Sequence, residues 1–244
     1  MDLTINQTNA INEIDKNLQI IACAGSGKTE VISRRIGKIL SEKNVDPKSI
    51  VAFTFTEKAA KSLGERIKRV TDNKIDISQM YIGTIHGFCY KLLKDNCEQF
   101  KDFRVLDSVK NFLFVKRYFN DCGMTELGLN NYSFDIKLFF NCIDKLIYEY
   151  DNKELWGQND RNVLDRYKKC LYEKKYFDFS LIIHETVNQI KEHPQLIDNY
   201  KYLIVDEYQD IDDLQEQLIS YFEQTGCNIC VVGDDDQTIY RFRR

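Results

Sequence analysis

The sequence predicts an α/β fold built on a parallel sheet, and three observations carry that prediction. Five short apolar runs are spaced along the chain, segments of helical period lie between them, and a glycine-rich turn joins the first run to the first such segment. Between about Lys94 and Tyr176 the composition shifts, which predicts a helical insertion into the sheet domain.

The apolar runs are Leu18–Cys23, Ile50–Phe55, Met80–Ile85, Tyr202–Val205 and Asn228–Val232. Each is flanked by polar or glycine-containing turns and is too short for a helix, so each reads as a buried parallel strand. Thr29–Leu40, Lys58–Val70 and Ile211–Phe222 repeat their apolar residues at helical spacing, and the alternation predicts helices on both faces of the sheet. The insertion is rich in Phe, Tyr, Lys and Asn. Within it Phe112, Val115 and Phe119, then Leu138, Cys142, Lys145 and Leu146, mark amphipathic helices whose aromatic stripe reads as core. The expected division is therefore 1–93 and 177–244 for the sheet domain, with 94–176 as the insertion. No internal repeat or low-complexity tract is present.

Composition narrows the functional classes. A chain of 244 residues with 43% apolar content buries a real core. With 34 Lys+Arg against 38 Asp+Glu, and a net charge of −4, it has no overall basic field, so any contact with nucleic acid must be local. The eight cysteines are scattered and the N-terminus lacks a signal-peptide pattern, which reads as reduced thiols in a cytoplasmic protein. Cys227 and Cys230 have no second pair at zinc-like spacing and read as strand packing. No apolar stretch approaches the roughly 20 residues that a membrane span needs, so a membrane is not an expected partner.

The first strand runs into Ala22-Cys23-Ala24-Gly25-Ser26-Gly27-Lys28-Thr29, and a helix follows. This is a phosphate-binding loop in its required context. The backbone N–H groups of Ala24, Gly25, Ser26 and Gly27 close on phosphate oxygens, and the helix N-terminus adds partial positive charge. Lys28 then reaches the β- and γ-phosphates and the Thr29 hydroxyl ligates Mg²⁺. Ala22 stands where the strict pattern has Gly. Such a loop needs an acidic partner, and Leu203-Ile204-Val205-Asp206-Glu207 ends a strand with adjacent carboxylates. An isolated Asp-Glu pair would read as a solvated turn. Beside a phosphate loop, Asp206 is placed to hold the metal through water and Glu207 to orient and deprotonate the attacking water.

Two further segments resemble motifs II and III of the superfamily-1 helicases of the UvrD/Rep/PcrA type: Asp206-Glu207-Tyr208-Gln209-Asp210, and Gly233-Asp234-Asp235-Asp236-Gln237-Thr238-Ile239-Tyr240-Arg241-Phe242-Arg243. Thr54-Phe55-Thr56-Glu57-Lys58-Ala59-Ala60 is similar to motif Ia, Gly83-Thr84-Ile85-His86-Gly87-Phe88-Cys89 to the next DNA-contacting motif, and Gln7 to the glutamine that reads adenine. The motifs stand in family order from 7 to 243.

The resemblance implies a RecA-like P-loop NTPase domain, 1A, interrupted by a helical domain, 1B. It implies ATP and Mg²⁺ as cofactors, Lys28, Glu207 and Gln237 as catalytic residues, and Gln237 as the link from the γ-phosphate to the DNA-facing residues. Single-stranded DNA, or DNA with a 3′ single-stranded tail, would cross the top of the sheet against Thr54, Phe55, Thr84, His86, Tyr240 and Phe242. Aromatic faces there stack on bases without reading their sequence. Phe242 stands where the family usually has Trp, and Glu30 where it often has Arg, which alters the base side of the nucleotide site. The basic segment Lys58–Arg69 is suited to steering phosphates.

The resemblance also implies that further motor domains, 2A and 2B, act with this chain in cis or are supplied by a partner protein. They would carry the remaining motifs, including arginines that stabilise charge on the transferring phosphate. The reading is thus the N-terminal part of an ATP-dependent 3′-to-5′ DNA helicase, which alone binds nucleotide, hydrolyses it poorly and does not unwind DNA. The alternative is a naturally short ATP- or DNA-binding module that works with a partner supplying the second lobe. A P-loop kinase or small GTPase would leave the Gln237–Phe242 segment unexplained.

Overall fold

The computed structural model describes residues 3–23, 25–43, 45–148 and 157–234. The strands, in chain order, are β1 (Leu18–Ile21), β2 (Ile50–Phe53), β3 (Tyr81–Gly83), β4 (Arg104–Val105), β5 (Tyr176–Phe177), β6 (Tyr202–Val205) and β7 (Asn228–Gly233). The helices are α1 (Ile5–Asn12), α2 (Lys28–Glu42), α3 (Glu57–Val70), α4 (Ile85–Asn96), α5 (Ser108–Arg117), α6 (Ser133–Tyr148), α7 (Gln158–Glu173), α8 (Phe179–Glu192) and α9 (Asp213–Gln224).

Five strands form one sheet in the order β1-β7-β6-β2-β3, and every neighbouring pair is parallel. This is the predicted α/β architecture. Central strands β2 and β6 alternate their side chains between two apolar layers. Ile50, Ala52 and Ile204 meet Ile32, Ile36 and Ile39 of α2 and Leu63 and Ile67 of α3. On β2, Phe53 instead meets Phe88 of α4 at 5.3 Å and Phe222 of α9 at 6.2 Å between ring centroids, in edge-to-face contacts.

Strand existence follows the apolar runs, but strand ends do not. β1 stops at Ile21 and β2 at Phe53, so residues 22–23 and 54–55 belong to loops leaving the carboxyl edge of the sheet. Nor is β1 buried on both faces: it lies at a sheet edge, and its burial alternates, with Ile21 exposed. Helix α1 has no counterpart among the predicted elements. It buries only Ile11 along its length, so it offers little apolar periodicity. Its start is set instead by a capping box, in which Thr4 Oγ1 accepts from Gln7 N at 3.2 Å and Gln7 Oε1 from Thr4 N at 2.8 Å.

The chain divides into two compact units, 1–88 with 189–244, and 89–188. These divisions fall earlier and later in the chain than 93/94 and 176/177, because α4 and α8 each continue through a division that composition places elsewhere. The second unit is helical, as expected, yet it also holds the parallel pair β4–β5. Of the predicted stripes, Val115 and Leu146 are buried, whereas Phe112, Phe119 and Cys142 are half-buried. The buried side of α6 is Ile136, Phe139, Ile143, Leu146 and Ile147, while Leu138 is 42% exposed and Lys145 is exposed. On α5 the buried residues are Asn111, Phe114 and Val115; Phe119 lies beyond the helix end. Phe103 packs on Phe177 at 4.8 Å, joining the two short strands through an aromatic core. Among the described residues, no helix is long and apolar enough to cross a membrane.

Candidate nucleotide-binding site

Because β1, β7 and β6 are adjacent and parallel, the segments that follow them emerge side by side at one edge of the sheet. The loop after β1 begins with Ala22, whose N–H donates to Gly233 O at 3.0 Å. Gly25 and Gly27 adopt φ of +76° and +87°, in the left-handed region that side chains resist. At Gly27 a Cβ would also lie 3.2 Å from Gln7 Nε2. Gly27 is the N-cap of α2 and has no side chain to cap it, so the first N–H groups of that helix remain available to an anion. Ala24 lies outside the described residues.

Lys28 opens α2 and is held between two carboxylates. Its Nζ is 3.8 Å from Glu207 Oε2 and 3.7 Å from Asp234 Oδ2, and Asp234 is only 2% exposed. The two acids come from the ends of β6 and β7, so three segments far apart in the chain meet at one cation. Glu207 has φ of +54°, uncommon for a residue with a side chain. That kink leads the chain into a tight turn at Tyr208–Asp210. Gln209 then ties the acids together: its Nε2 donates to Glu207 Oε2 at 2.8 Å, and its Oε1 accepts from Asp234 N at 3.0 Å. Gly233 is required by this bridge, since a Cβ there would fall 2.9 Å from Gln209 Oε1.

Asp206 directly follows β6, its N–H donating to Phe53 O at 3.0 Å. Burial, and then the neighbouring Glu207 charge, push its carboxyl up to about 6, while Lys28 pulls the other way. Thr29, Asp206 and Glu207 line one cleft of about 420 Å³, together with Thr56, Phe55 and Arg66. Arg66 stands 3.5 Å from Glu30, whose carboxyl is held below its usual range mainly by a hydrogen bond from Arg34 at 2.7 Å. Glu30 is thus engaged in ion pairing between α2 and α3.

Gln7 is half-buried, and its Nε2 donates to Ser26 O in the phosphate loop at 2.9 Å. Of the residues expected to meet DNA, Phe55 is 52% exposed in the loop that follows β2. Thr84 donates to Glu57 Oε1 and accepts from Gly87 N, both at 3.2 Å. Thr54 is buried, its hydroxyl donating to Thr56 O at 3.1 Å, so it shapes the loop from within. His86, in the first turn of α4, is pushed down to about 4 by burial, which keeps its imidazole neutral at physiological pH. Gln237, Tyr240 and Phe242 lie outside the described residues.

Sequence reasoning singled out Lys28, Thr29, Asp206 and Glu207, and the structure brings these four together. It did not single out Gln209 or Asp234 as site residues. Both stand inside quoted motifs, but their roles depend on the turn after Glu207 and on the β6–β7 register.

The profile of the UvrD/REP helicase N-terminal domain matches residues 3–244. Similar proteins include the ATP-dependent DNA helicase PcrA of Bacillus subtilis (strain 168), 31% identical over 97% of this chain and 33% of that protein. PcrA of Staphylococcus aureus (strain Mu50 / ATCC 700699) is 28% identical over 99% of this chain and 34% of that protein. PcrA of Staphylococcus epidermidis is 29% identical with the same coverage. The chain thus spans about a third of the length of the curated relatives it matches. The match runs through the loop after β1, the acidic turn after β6 and the helical unit alike: the chain belongs to the UvrD/REP helicase N-terminal domain family.

Proposed function

We propose that this chain is the ATP-binding and single-stranded-DNA-binding N-terminal portion of an ATP-dependent 3′-to-5′ DNA helicase. The observation that carries the reading is Lys28 between Glu207 and Asp234, with Thr29 and Asp206 lining the adjoining cleft. In this reading the loop from Ala24 to Gly27 cradles the triphosphate, Lys28 neutralises its outer phosphates and Gln7 contacts adenine. Glu207, oriented by Gln209, accepts a proton from the attacking water. Gln237 senses the γ-phosphate.

The donor set fits Mg²⁺. Among the described residues no group of three or more His, Cys, Asp or Glu is placed to hold a metal alone. Mg²⁺ takes one or two protein oxygens and completes its shell with phosphate and water, as Thr29 and Asp206 in one cleft would allow. When bound, the ion supplies positive charge to the phosphoryl group as negative charge develops on it.

Single-stranded DNA follows the carboxyl edge of the sheet and is contacted by Phe55, Thr84 and His86, with Thr54 holding the loop that presents Phe55; Tyr240 and Phe242 are assigned to the same DNA by their motif alone. The unit 1–88 with 189–244 corresponds to domain 1A and the unit 89–188 to domain 1B. Unwinding needs the 2A and 2B domains, in cis or from a partner, because one lobe has nothing to close against.

Glu207→Gln tests the assignment. In a protein that carries this chain together with the second lobe, Mg-ATP affinity should stay within about threefold of wild type while DNA-stimulated turnover falls by about 10²–10⁴, the usual worth of a general base. Undiminished turnover would remove Glu207 from the reaction.

A further inference from the structure

We propose that Arg35 is a positioning residue that sets Gln7 against the phosphate loop, by capping the C-terminal end of α1 from inside the core. The inference rests on the reading of Gln7 as the adenine contact and adds the element that holds Gln7 in place.

Arg35 stands about two turns along α2 from Lys28, and it is fully buried at 0% exposure. Its hydrogen bonds go to main-chain carbonyls. Nη1 donates to Ala10 O at 2.9 Å and also to Glu13 O. Ala10 is in the last turn of α1, where carbonyls have no further helical N–H to accept from. The group that would have served it, Ile14 N, donates to Asn12 O instead. A buried cation therefore meets both an orphaned carbonyl and the negative end of the helix dipole.

The arrangement is costly in isolation. Arg35 Nε and Nη2 have no hydrogen-bond partner, and burial lowers the pKa of the guanidinium. For stability alone an apolar side chain of similar volume would often serve as well. What the guanidinium adds is a fixed position for α1, an eight-residue helix too short to be stable by itself and with Ile11 as its one buried residue. The opposite end of that helix carries Gln7, whose Oε1 is spent on Thr4 N and whose Nε2 reaches Ser26 O. The helix is thus fixed at its end by α2 and at its start by the loop leading into α2. A slip of α1 at Arg35 moves Gln7 away from the loop without touching Lys28 or Thr29.

The test uses the 244-residue chain as wild type, Gln7→Ala, Arg35→Met and Arg35→Lys, with dissociation constants for Mg-ATP, Mg-GTP and Mg-tripolyphosphate. Wild type is expected to prefer ATP to GTP. Gln7→Ala and Arg35→Met should each cut that preference about tenfold, the equivalent of one lost hydrogen bond. Arg35→Met should keep tripolyphosphate affinity within about twofold, and Arg35→Lys, which retains a donor, should fall between wild type and Arg35→Met in its preference. The side-chain amide ¹⁵N–¹H signals of Gln7, assigned by their loss in Gln7→Ala, should shift in Arg35→Met without any nucleotide present. If Arg35→Met fails to fold, Arg35→Lys and its Gln7 signals decide. A preference that Gln7→Ala abolishes but the folded Arg35 variants keep would overturn the proposal while leaving the adenine assignment intact. A preference that survives Gln7→Ala would remove the adenine assignment and the proposal with it.

Discussion

Lys28 counters the buried Asp234 and the half-exposed Glu207, and the proposed function gives it a second task, meeting phosphate oxygens. The two roles separate by mutation. Lys28→Met is expected to weaken Mg-ATP binding at least about 100-fold, and also to destabilise the empty chain by about 1–3 kcal/mol by leaving Asp234 beside Glu207 without its cation. Adding Asp234→Asn should restore most of the lost melting temperature and none of the binding; a double variant that melts no higher than Lys28→Met would show that Asp234 draws no stability from the lysine. Lys28, Thr29, Asp206 and Glu207 were legible because each lies in a local pattern with one known chemistry. Gln209 was not, since nothing in Asp206-Glu207-Tyr208-Gln209 announces that a positive φ at Glu207 turns the glutamine back to bridge Glu207 and Asp234 N.

At the scale of elements, apolar runs gave away every strand of the large sheet because those strands are buried or half-buried. Their ends were hidden because Cys23, Phe55 and Ile85 continue the apolar pattern into loops or a helix. Helix α1 was illegible for the opposite reason, being fixed by a capping box and by Arg35 with little hydrophobic periodicity. The stripe on α6 was legible at Leu146 alone of its four positions, because several neighbouring apolar residues suit either face and packing chooses Ile136, Phe139 and Ile143. In the second unit a buried polar cluster joins α5, α7 and the start of α8. Tyr167 OH donates to Asp178 Oδ2 at 2.5 Å, Asn111 Nδ2 to Tyr167 OH at 2.9 Å and Leu181 N to Asp178 Oδ1 at 2.8 Å. Burial nevertheless pushes the Asp178 carboxyl up to about 6. The folded state then holds a proton that the unfolded chain, titrating near 4, has released. The contribution is present in full below about pH 4 and lost as pH rises through about 6. Thermal melts at pH 5 and pH 7 should show wild type losing more stability than Asp178→Asn over that interval; equal losses would mean that Asp178 is ionised in the fold throughout.

For the whole molecule, a net charge of −4 means no overall basic field, and the candidate site is local to the carboxyl edge of the sheet. Family membership covers residues 3–244, so the sheet unit and the helical unit belong to one family stretch. The division into units was legible only in outline, because composition registers what a segment is made of, whereas compactness depends on how far α4 and α8 run. The convergence of Lys28, Thr29, Asp206 and Glu207 on one magnesium–nucleotide pocket is tested most directly by calorimetric titration of ATP into the 244-residue chain, with and without Mg²⁺, for wild type, Thr29→Ala and Asp206→Ala. Wild-type affinity should rise at least about tenfold with the metal, a gain of about 1.4 kcal/mol, and both variants should lose that gain while keeping their metal-free affinity. ATP binding that is indifferent to Mg²⁺, or a metal effect that survives in both variants, would contradict the pocket.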